Sequence, residues 1–335
     1  MLRAAILGLG WWGRTIVQTM RQSEALRVTV GLDPAAHAQA ACAELGIAYG
    51  ASFEAVLADP AIDAIILCTP HTQHAAQIQR AAASGKHVFC EKPLCLSLDE
   101  ARASVAACNA HNVAIGVGHE RRFEPAIADI RAMIADGTLG TLLQMEGNFS
   151  QDKFLALPRD NWRLSPTEAP AGPMTATGIH LLDLAVSFLG PAERALVHVA
   201  QLGSDLSNGD TLAAMIRFHS GANALLTAIL ATPFDGRLAL YGSKGWVEIR
   251  DKTHPEDPQG WTVTTMLRAG GRSVRDYSPA PTVRANLESF AAQALGRGTY
   301  LMPQHQMLQT IAALEAVFRS AASGRIEAVE AVGAI

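Results

Sequence analysis

Two rhythms of apolar and polar residues divide the chain. Up to about residue 120, short apolar runs fall at 3–7, 26–32, 63–68, 87–90 and 113–118. Between them, apolar residues recur at helical spacing, as far as Gln22 and then over 34–45, 72–84 and 97–111, with Pro34 suited to a first helical turn. Strands with little polar alternation, each followed by a helix, predict a parallel sheet covered on both faces. A helix over 123–136 follows, and then the grammar changes. LLQMEGNFS, LVHVAQL, TLAAMIRFH, ANALLTAIL and GWVEIR succeed one another with tight turns such as HSGA and GSKG, the pattern of an antiparallel sheet. Two helices, near 283–296 and 303–323, close the chain.

At 335 residues the chain exceeds what one core usually organises, so the change of rhythm is read as a domain boundary: 1–120 and 121–335. Hydrophobic residues make up 49% and charged residues 17%, which supports two sizeable cores. A net charge of -4 lacks the basic excess that a phosphate backbone demands, so nucleic acid is not an expected partner. The longest apolar runs are broken by Arg217, His219 and Gly221, short of a membrane span, and no charged leader precedes the first strand. Cys42, Cys68, Cys90, Cys95 and Cys108 form neither a C-x-x-C pair nor a cluster with histidine. They are expected to be reduced thiols of a cytoplasmic protein, with no metal site.

Chemistry enters with GLGWWG. Gly8, Gly10 and Gly13 satisfy G-x-G-x-x-G between a strand and a helix, where glycine permits a tight turn and close approach of backbone to a pyrophosphate. Asp33 stands 20 residues after Gly13, at the end of the second strand, where a carboxylate accepts from ribose hydroxyls. The same charge repels a 2'-phosphate and no arginine follows, so NAD is expected in preference to NADP; the other role open to Asp33 is capping the next helix. Trp11 and Trp12 fill the variable positions, either covering the dinucleotide or packing in the core. The fold expected is an N-terminal Rossmann doubly wound parallel sheet with a C-terminal α+β domain on a large, mainly antiparallel open sheet.

With CTPHTQHAAQIQRAAASGKHVFCEKPL, GVGHERRFEP, NWR and GIHLLD added, the chain resembles the Gfo/Idh/MocA family of oxidoreductases. EKP and GIHxxD are the most specific parts. The resemblance implies that Lys92, just past a strand's carboxyl end and followed by Pro93, contacts the reacting hydroxyl or carbonyl, with a cis Lys92–Pro93 peptide allowed. It implies that His180 shares the proton handling, the two groups converging beside the nicotinamide. Thr69, Pro70, His71 and His74 would lie on the cofactor side, and Glu91 would touch the cofactor or orient Lys92. Without that context Glu-Lys-Pro is also plausible turn chemistry. Arg122, Trp162 and Arg163 would line the substrate pocket, Asp183 would fix the helix or the imidazole, and the open sheet face would mediate a homo-oligomer.

One position departs from the family. An aspartate commonly stands four residues before the motif's histidine, on the same helical face; here it is Ala176. Glu120 is a candidate substitute, its other reading being an ion pair with Arg121 or a helix-start carboxylate. The leading expectation is an NAD-dependent dehydrogenase of a secondary alcohol or ketone on a sugar, cyclitol or related polyol. Ala176, with Lys153, Arg159 and Arg163, keeps open a carboxylated cyclic diol or other non-sugar substrate, and a non-catalytic dinucleotide sensor.

Overall fold

In the computed structural model, described over residues 1–255 and 257–333, the first rhythm builds a six-stranded parallel sheet. Its strands are β1 (Leu2–Leu7), β2 (Leu26–Leu32), β3 (Ala48–Tyr49), β4 (Ala64–Leu67), β5 (His87–Cys90) and β6 (Ile115–Val117), in the order β3-β2-β1-β4-β5-β6. The helices between them are α1 (Trp11–Met20), α2 (Ala38–Leu45), α3 (Phe53–Ala58), α4 (His74–Ala83) and α5 (Leu98–Ala110). All four residues of β4 are buried, as a central strand covered on both faces requires. The order reverses between β1 and β4, and open α/β sheets bind their ligands at the carboxyl end of such a switch point. Two local differences from the sequence reading have causes. α2 starts at Ala38 and not at Pro34, because Asp33 Oδ1 accepts from the Ala35 amide at 2.8 Å and a turn from Ala35 to Ala38 precedes the helix. β3 has only two residues, too few to show a period.

The second rhythm builds a nine-stranded sheet. After α6 (Pro125–Ala135) come β7 (Leu142–Ser150), α7 (Ile179–Leu189), β8 (Ala192–Ala200), β9 (Thr211–Phe218), β10 (Asn223–Ile229), β11 (Asp235–Gly242), β12 (Gly245–Asp251), β13 (Trp261–Leu267) and β14 (Gly271–Tyr277). The chain ends with α8 (Thr282–Ala294), α9 (Gln304–Ser323) and β15 (Glu327–Ala328), and the strand order is β14-β13-β12-β11-β7-β10-β9-β8-β15. β7 and β10 pair in parallel and the other neighbours antiparallel, so the sheet is mixed although mainly antiparallel. β9 and β10 alternate buried and exposed residues, the signature of a sheet with one covered face. α7 lies on that face: a side chain at Gly147 would start 3.0 Å from Leu181. On the other face Leu196, Met215 and Leu225 stand directly opposite one another and exposed.

The chain forms two compact units, Met1–Glu120 with Pro281–Met307, and Arg121–Ala280 with Leu308–Ile335. Sequence order had placed 281–307 with the second domain; it joins the first because α8 is anchored there. Phe290 packs on Phe89 with ring centres 5.6 Å apart, while Asn286 Nδ2 and Tyr300 Oη both donate to the Val117 carbonyl, at 2.9 and 2.8 Å. Residues 334 and 335 of the expected second domain lie outside the described residues.

Asp210, fully buried before β9, ties down the turn after β8. Burial pushes its carboxyl up, but hydrogen bonds from the Leu202 amide, Ser204 Oγ, Thr211 Oγ1 and the Gly203 amide outweigh this and hold it at about 2. The lowered pKa means the ionised form stabilises the fold above the unfolded value near 3.8, and that contribution is lost as pH falls through about 2. Denaturation of wild type and Asp210→Asn should therefore show a midpoint gap that is full at neutral pH, narrows below about 3.8 and closes near 2.

Candidate functional site

The first unit gathers its candidate residues at the carboxyl ends of β1, β2, β4 and β5. Gly8 has φ +94°, and a Cβ there would lie 2.5 Å from the Cys68 carbonyl oxygen, so only glycine lets the loop after β1 cross the end of β4. A Cβ at Gly13 would fall 2.0 Å from the Gly8 carbonyl oxygen, whereas at Gly10 it would meet nothing within 4 Å. The first and third glycines serve packing, and the second leaves the loop's outer side bare. Gly10 is the N-cap of α1, makes no side-chain cap, and no acid stands in the first turn, so the amides there are not neutralised by the chain's own carboxylates. Trp11 is 43% exposed and meets Trp12 edge-on at 5.1 Å. The buried Trp12 indole N–H finds no acceptor among the described residues. Asp33 Oδ2 accepts from the Leu9 amide at 2.7 Å, so the carboxylate at the end of β2 also holds the glycine loop in place. An open glycine edge, uncapped amides and an orphan donor fit a dinucleotide pyrophosphate.

At β4 and β5 the ladder runs on past the strands. Cys68 N donates to Leu7 O at 2.7 Å, Glu91 N to Leu67 O at 2.8 Å and Gly118 N to Cys90 O at 2.9 Å. Glu91 is thus the last paired residue of its strand, and Pro93, having no amide hydrogen, cannot extend the pairing. Lys92 stands half-buried where the ladder stops, and the Lys92–Pro93 peptide is cis. The buried Glu91 carboxylate packs at Gly118, where a Cβ would come within 2.5 Å of it, and Glu91 Oε2 accepts from the Lys92 amide at 3.3 Å. Thr69 Oγ1 bonds Gln77 Oε1 at 2.6 Å, and Pro70 leads into a short turn, His71–Gln73. His71 is buried and meets His74 at 5.7 Å; the His74 ring bonds backbone oxygens, Pro93 O at 2.9 Å and Thr69 O at 3.0 Å.

In the second unit, a π-helical turn over Met174–Gly178 runs directly into α7. Such turns are rare and concentrate at functional sites. His180, 7% exposed, follows it with its ring 5.9 Å from Phe149. Ala176 packs against an apolar cluster of Leu164, Leu206 and Leu230 with Phe154 and Leu157. A half-buried position against that cluster suits a methyl group better than an ionised acid.

Arg122, expected to line a substrate pocket, is 2% exposed and grips Asp183 on both edges, Nε to Oδ2 at 2.6 Å and Nη2 to Oδ1 at 2.8 Å. The pair ties α7 to the short turn Glu120–Phe123, so the Arg122 guanidinium is engaged within the protein. Its neighbour Arg121 is buried too. Burial lowers its pKa, but Asp251 and Glu124 more than reverse this and keep it charged, and it lies over the Phe149 ring at 5.5 Å. Glu120 opens the same short turn, Glu120–Phe123, in which Arg121 pairs with Glu124 and Asp251. Trp162 and Arg163 stack on each other at 4.2 Å within a short turn capped by Asn161. Arg159 pairs with Asp205 at 2.6 Å.

Sequence reasoning missed His254 and Gln151. The His254 ring lies 6.0 Å from Phe149, with Nε2 2.5 Å from Gln151 Oε1 and Nδ1 3.1 Å from Lys153 Nζ. A lysine only donates, so His254 Nδ1 accepts and Nε2 carries the proton towards Gln151. No sequence signal joins residues 101 apart. No group of three or more His, Cys, Asp or Glu able to hold a metal occurs among the described residues. Burial pushes the Cys95 and Cys108 thiols up to about 12, which makes them inert.

A switch-point glycine loop on a Rossmann sheet, joined in one chain to a large mixed sheet, is the architecture of a two-domain dinucleotide-binding protein. Residues 2–119 match the family described as "Oxidoreductase family, NAD-binding Rossmann fold", and 127–248 match the "GFO/IDH/MocA C-terminal domain". The chain belongs to the Gfo/Idh/MocA family. It is similar to scyllo-inositol 2-dehydrogenase (NAD(+)) of Bacillus subtilis, 34% identical over 81% of this chain and 78% of that protein. It is also similar to D-xylose 1-dehydrogenase (NADP(+)) 2 of Haloferax volcanii, 27% identical over 95% and 97%. Among solved structures it resembles the aldose-aldose oxidoreductase of Caulobacter crescentus complexed with glycerol, with TM-score 0.86 and 25% identity over 98% of this chain and 99% of that one.

The Arg122–Asp183 ion pair makes a separable prediction. Arg122→Ala removes the cation from the buried Asp183 carboxylate, which typically costs about 3–5 kcal/mol. Chemical denaturation should show a loss of that size.

Proposed function

We propose that the protein is an NAD-dependent dehydrogenase that oxidises a secondary alcohol of a sugar, cyclitol or related polyol, or reduces the matching ketone. The single observation that carries this reading is the half-buried Lys92, set where the β5 ladder ends, at the same end of the sheet as the glycine loop. The relatives named above act, by their names, on inositol, xylose and aldose. Asp33 favours NAD, since its carboxylate at the end of β2 disfavours a 2'-phosphate. The relatives include enzymes named for each cofactor, so the preference is this chain's own.

Gly8, Gly10 and Gly13 would admit the pyrophosphate and Asp33 the adenosine ribose, with Trp11 and Trp12 over the loop; when bound, the nicotinamide supplies or accepts the hydride. The chain's part is orientation and proton handling. In oxidation the neutral Lys92 amine accepts the proton of the substrate hydroxyl, and in reduction the Lys92 ammonium donates that proton to the carbonyl oxygen. His180 is the second proton group. With Ala176 on an apolar cluster, no carboxylate one turn before His180 tunes it, so Lys92 has the larger share. The exposed row Leu196, Met215 and Leu225 supports a homo-oligomer through the open sheet face, and the buried thiols support a cytoplasmic setting.

A second reading, a substrate that carries a carboxylate, draws on Lys153, a cation fixed by His254 beside the Phe149 ring that His180 also meets.

Purified protein incubated with NAD or NADP and a panel of polyols, cyclitols, uronic acids and hydroxy acids should form reduced cofactor, with NAD preferred. No turnover with any of them favours a sensor, and preference for NADP refutes the role of Asp33. Lys92→Ala should lower kcat by roughly 100-fold or more. Full turnover in that variant removes the central assignment. Lys153→Ala should raise KM for uronic acids alone if the second reading holds.

A further inference from the structure

His74 is wholly buried, and both of its ring nitrogens end on backbone carbonyl oxygens, Nδ1 on Pro93 O at 2.9 Å and Nε2 on Thr69 O at 3.0 Å. A carbonyl oxygen only accepts. A neutral imidazole has one N–H and one lone pair, so it can satisfy one of these contacts and must turn its lone pair against the other oxygen, inside a core where water cannot intervene. Only the doubly protonated ring donates to both.

We propose that His74 is a permanently charged imidazolium that pins the chain after β4 to the chain after β5, and thereby positions Lys92. Thr69 closes the loop that leaves the switch point, and Pro93 follows Lys92 directly. One rigid ring joins them, so the backbone that carries the lysine is fixed relative to the loop that follows β4. This role rests on the assignment of Lys92 above. It also replaces the cofactor contact expected for His74, because both nitrogens serve the backbone.

Two effects oppose the charge: burial, and the position of His74 as first residue of α4, where the helix dipole disfavours a cation. Two carbonyl dipoles at hydrogen-bond distance favour it. The elements packed against α4 are α5, β4, β5 and the turn before it. Their ionisable groups are Asp99, Glu100, Arg102 and Cys108 on α5, Cys68 after β4, His87 and Cys90 on β5 with Glu91 and Lys92 after it, and His71 in the turn. Cys108 and Cys90 are buried thiols pushed up by burial and stay neutral, and His87 is pushed down by burial. Arg80 lies on α4 itself and pairs with Glu54. Glu91 is the buried carboxylate of this set, two residues from Pro93.

The test is a long-range proton–nitrogen correlation spectrum of the wild-type protein with 15N-labelled histidine at pH 8.5, about two units above the ordinary imidazole value of about 6.5. Of the 11 histidines, one ring should still show two protonated nitrogens, and His74→Gln should remove that signal. A spectrum in which every ring is a single tautomer overturns the proposal without any variant, and so does a signal that survives His74→Gln. In kinetics, His74→Gln should lower kcat about tenfold or more while the Kd for NAD is unchanged. Weakened NAD binding with unchanged kcat would return His74 to the cofactor. If the imidazolium is found but Lys92→Ala turns over normally, the reading of Lys92 fails and the charged ring stands.

Discussion

Everything at the ligand end of the first sheet depends on one close backbone passage, Gly8 across the Cys68 carbonyl. The clearance is too small for a Cβ, and the pairing on either side, Gly8 N to Leu32 O and Cys68 N to Leu7 O, holds both loops at that separation. From this follow the direction of α1, the open edge at Gly10 and the reach of Asp33 to the Leu9 amide. The same ladder, carried to Glu91 and Gly118, fixes where β5 must end and so where Lys92 stands. Backbone hydrogen bonding sets the geometry, and the side chains at this end of the sheet take their places from it.

The sequence disclosed this part of the molecule well because its signals are local. A strand, three glycines at fixed spacing, a helix and an acid at the end of the next strand need no knowledge of distant residues. Lys92 was legible for the same reason, a buried strand halted by a charged pair and proline. The strand-rich half was legible as a class, since alternation and tight turns announce an open sheet, but the parallel pairing of β7 with β10 was not, because register depends on partners far away in sequence.

What escaped the sequence was long-range partnership. Arg122 looked available for a ligand and turned out to be held by Asp183, 61 residues on, and His254 met Gln151 and Lys153 across about a hundred. α8 joined the first unit through Asn286 and Tyr300, anchors that no periodicity marks. α2 began late because the Asp33 carboxylate, weighed as a helix cap, instead serves the Ala35 and Leu9 amides. In each case a polar side chain chose between plausible partners, and only the folded chain decides such a choice.

Ala176 has a consequence beyond the absence of a carboxylate. Because its half-buried methyl group packs against leucines and a phenylalanine, an aspartate there would set a carboxylate against apolar neighbours, which raises its pKa. An acid at this position would sit more easily if Phe154, Leu157 and Leu164 were changed with it. The alanine at this position is therefore matched to its neighbours in the packing.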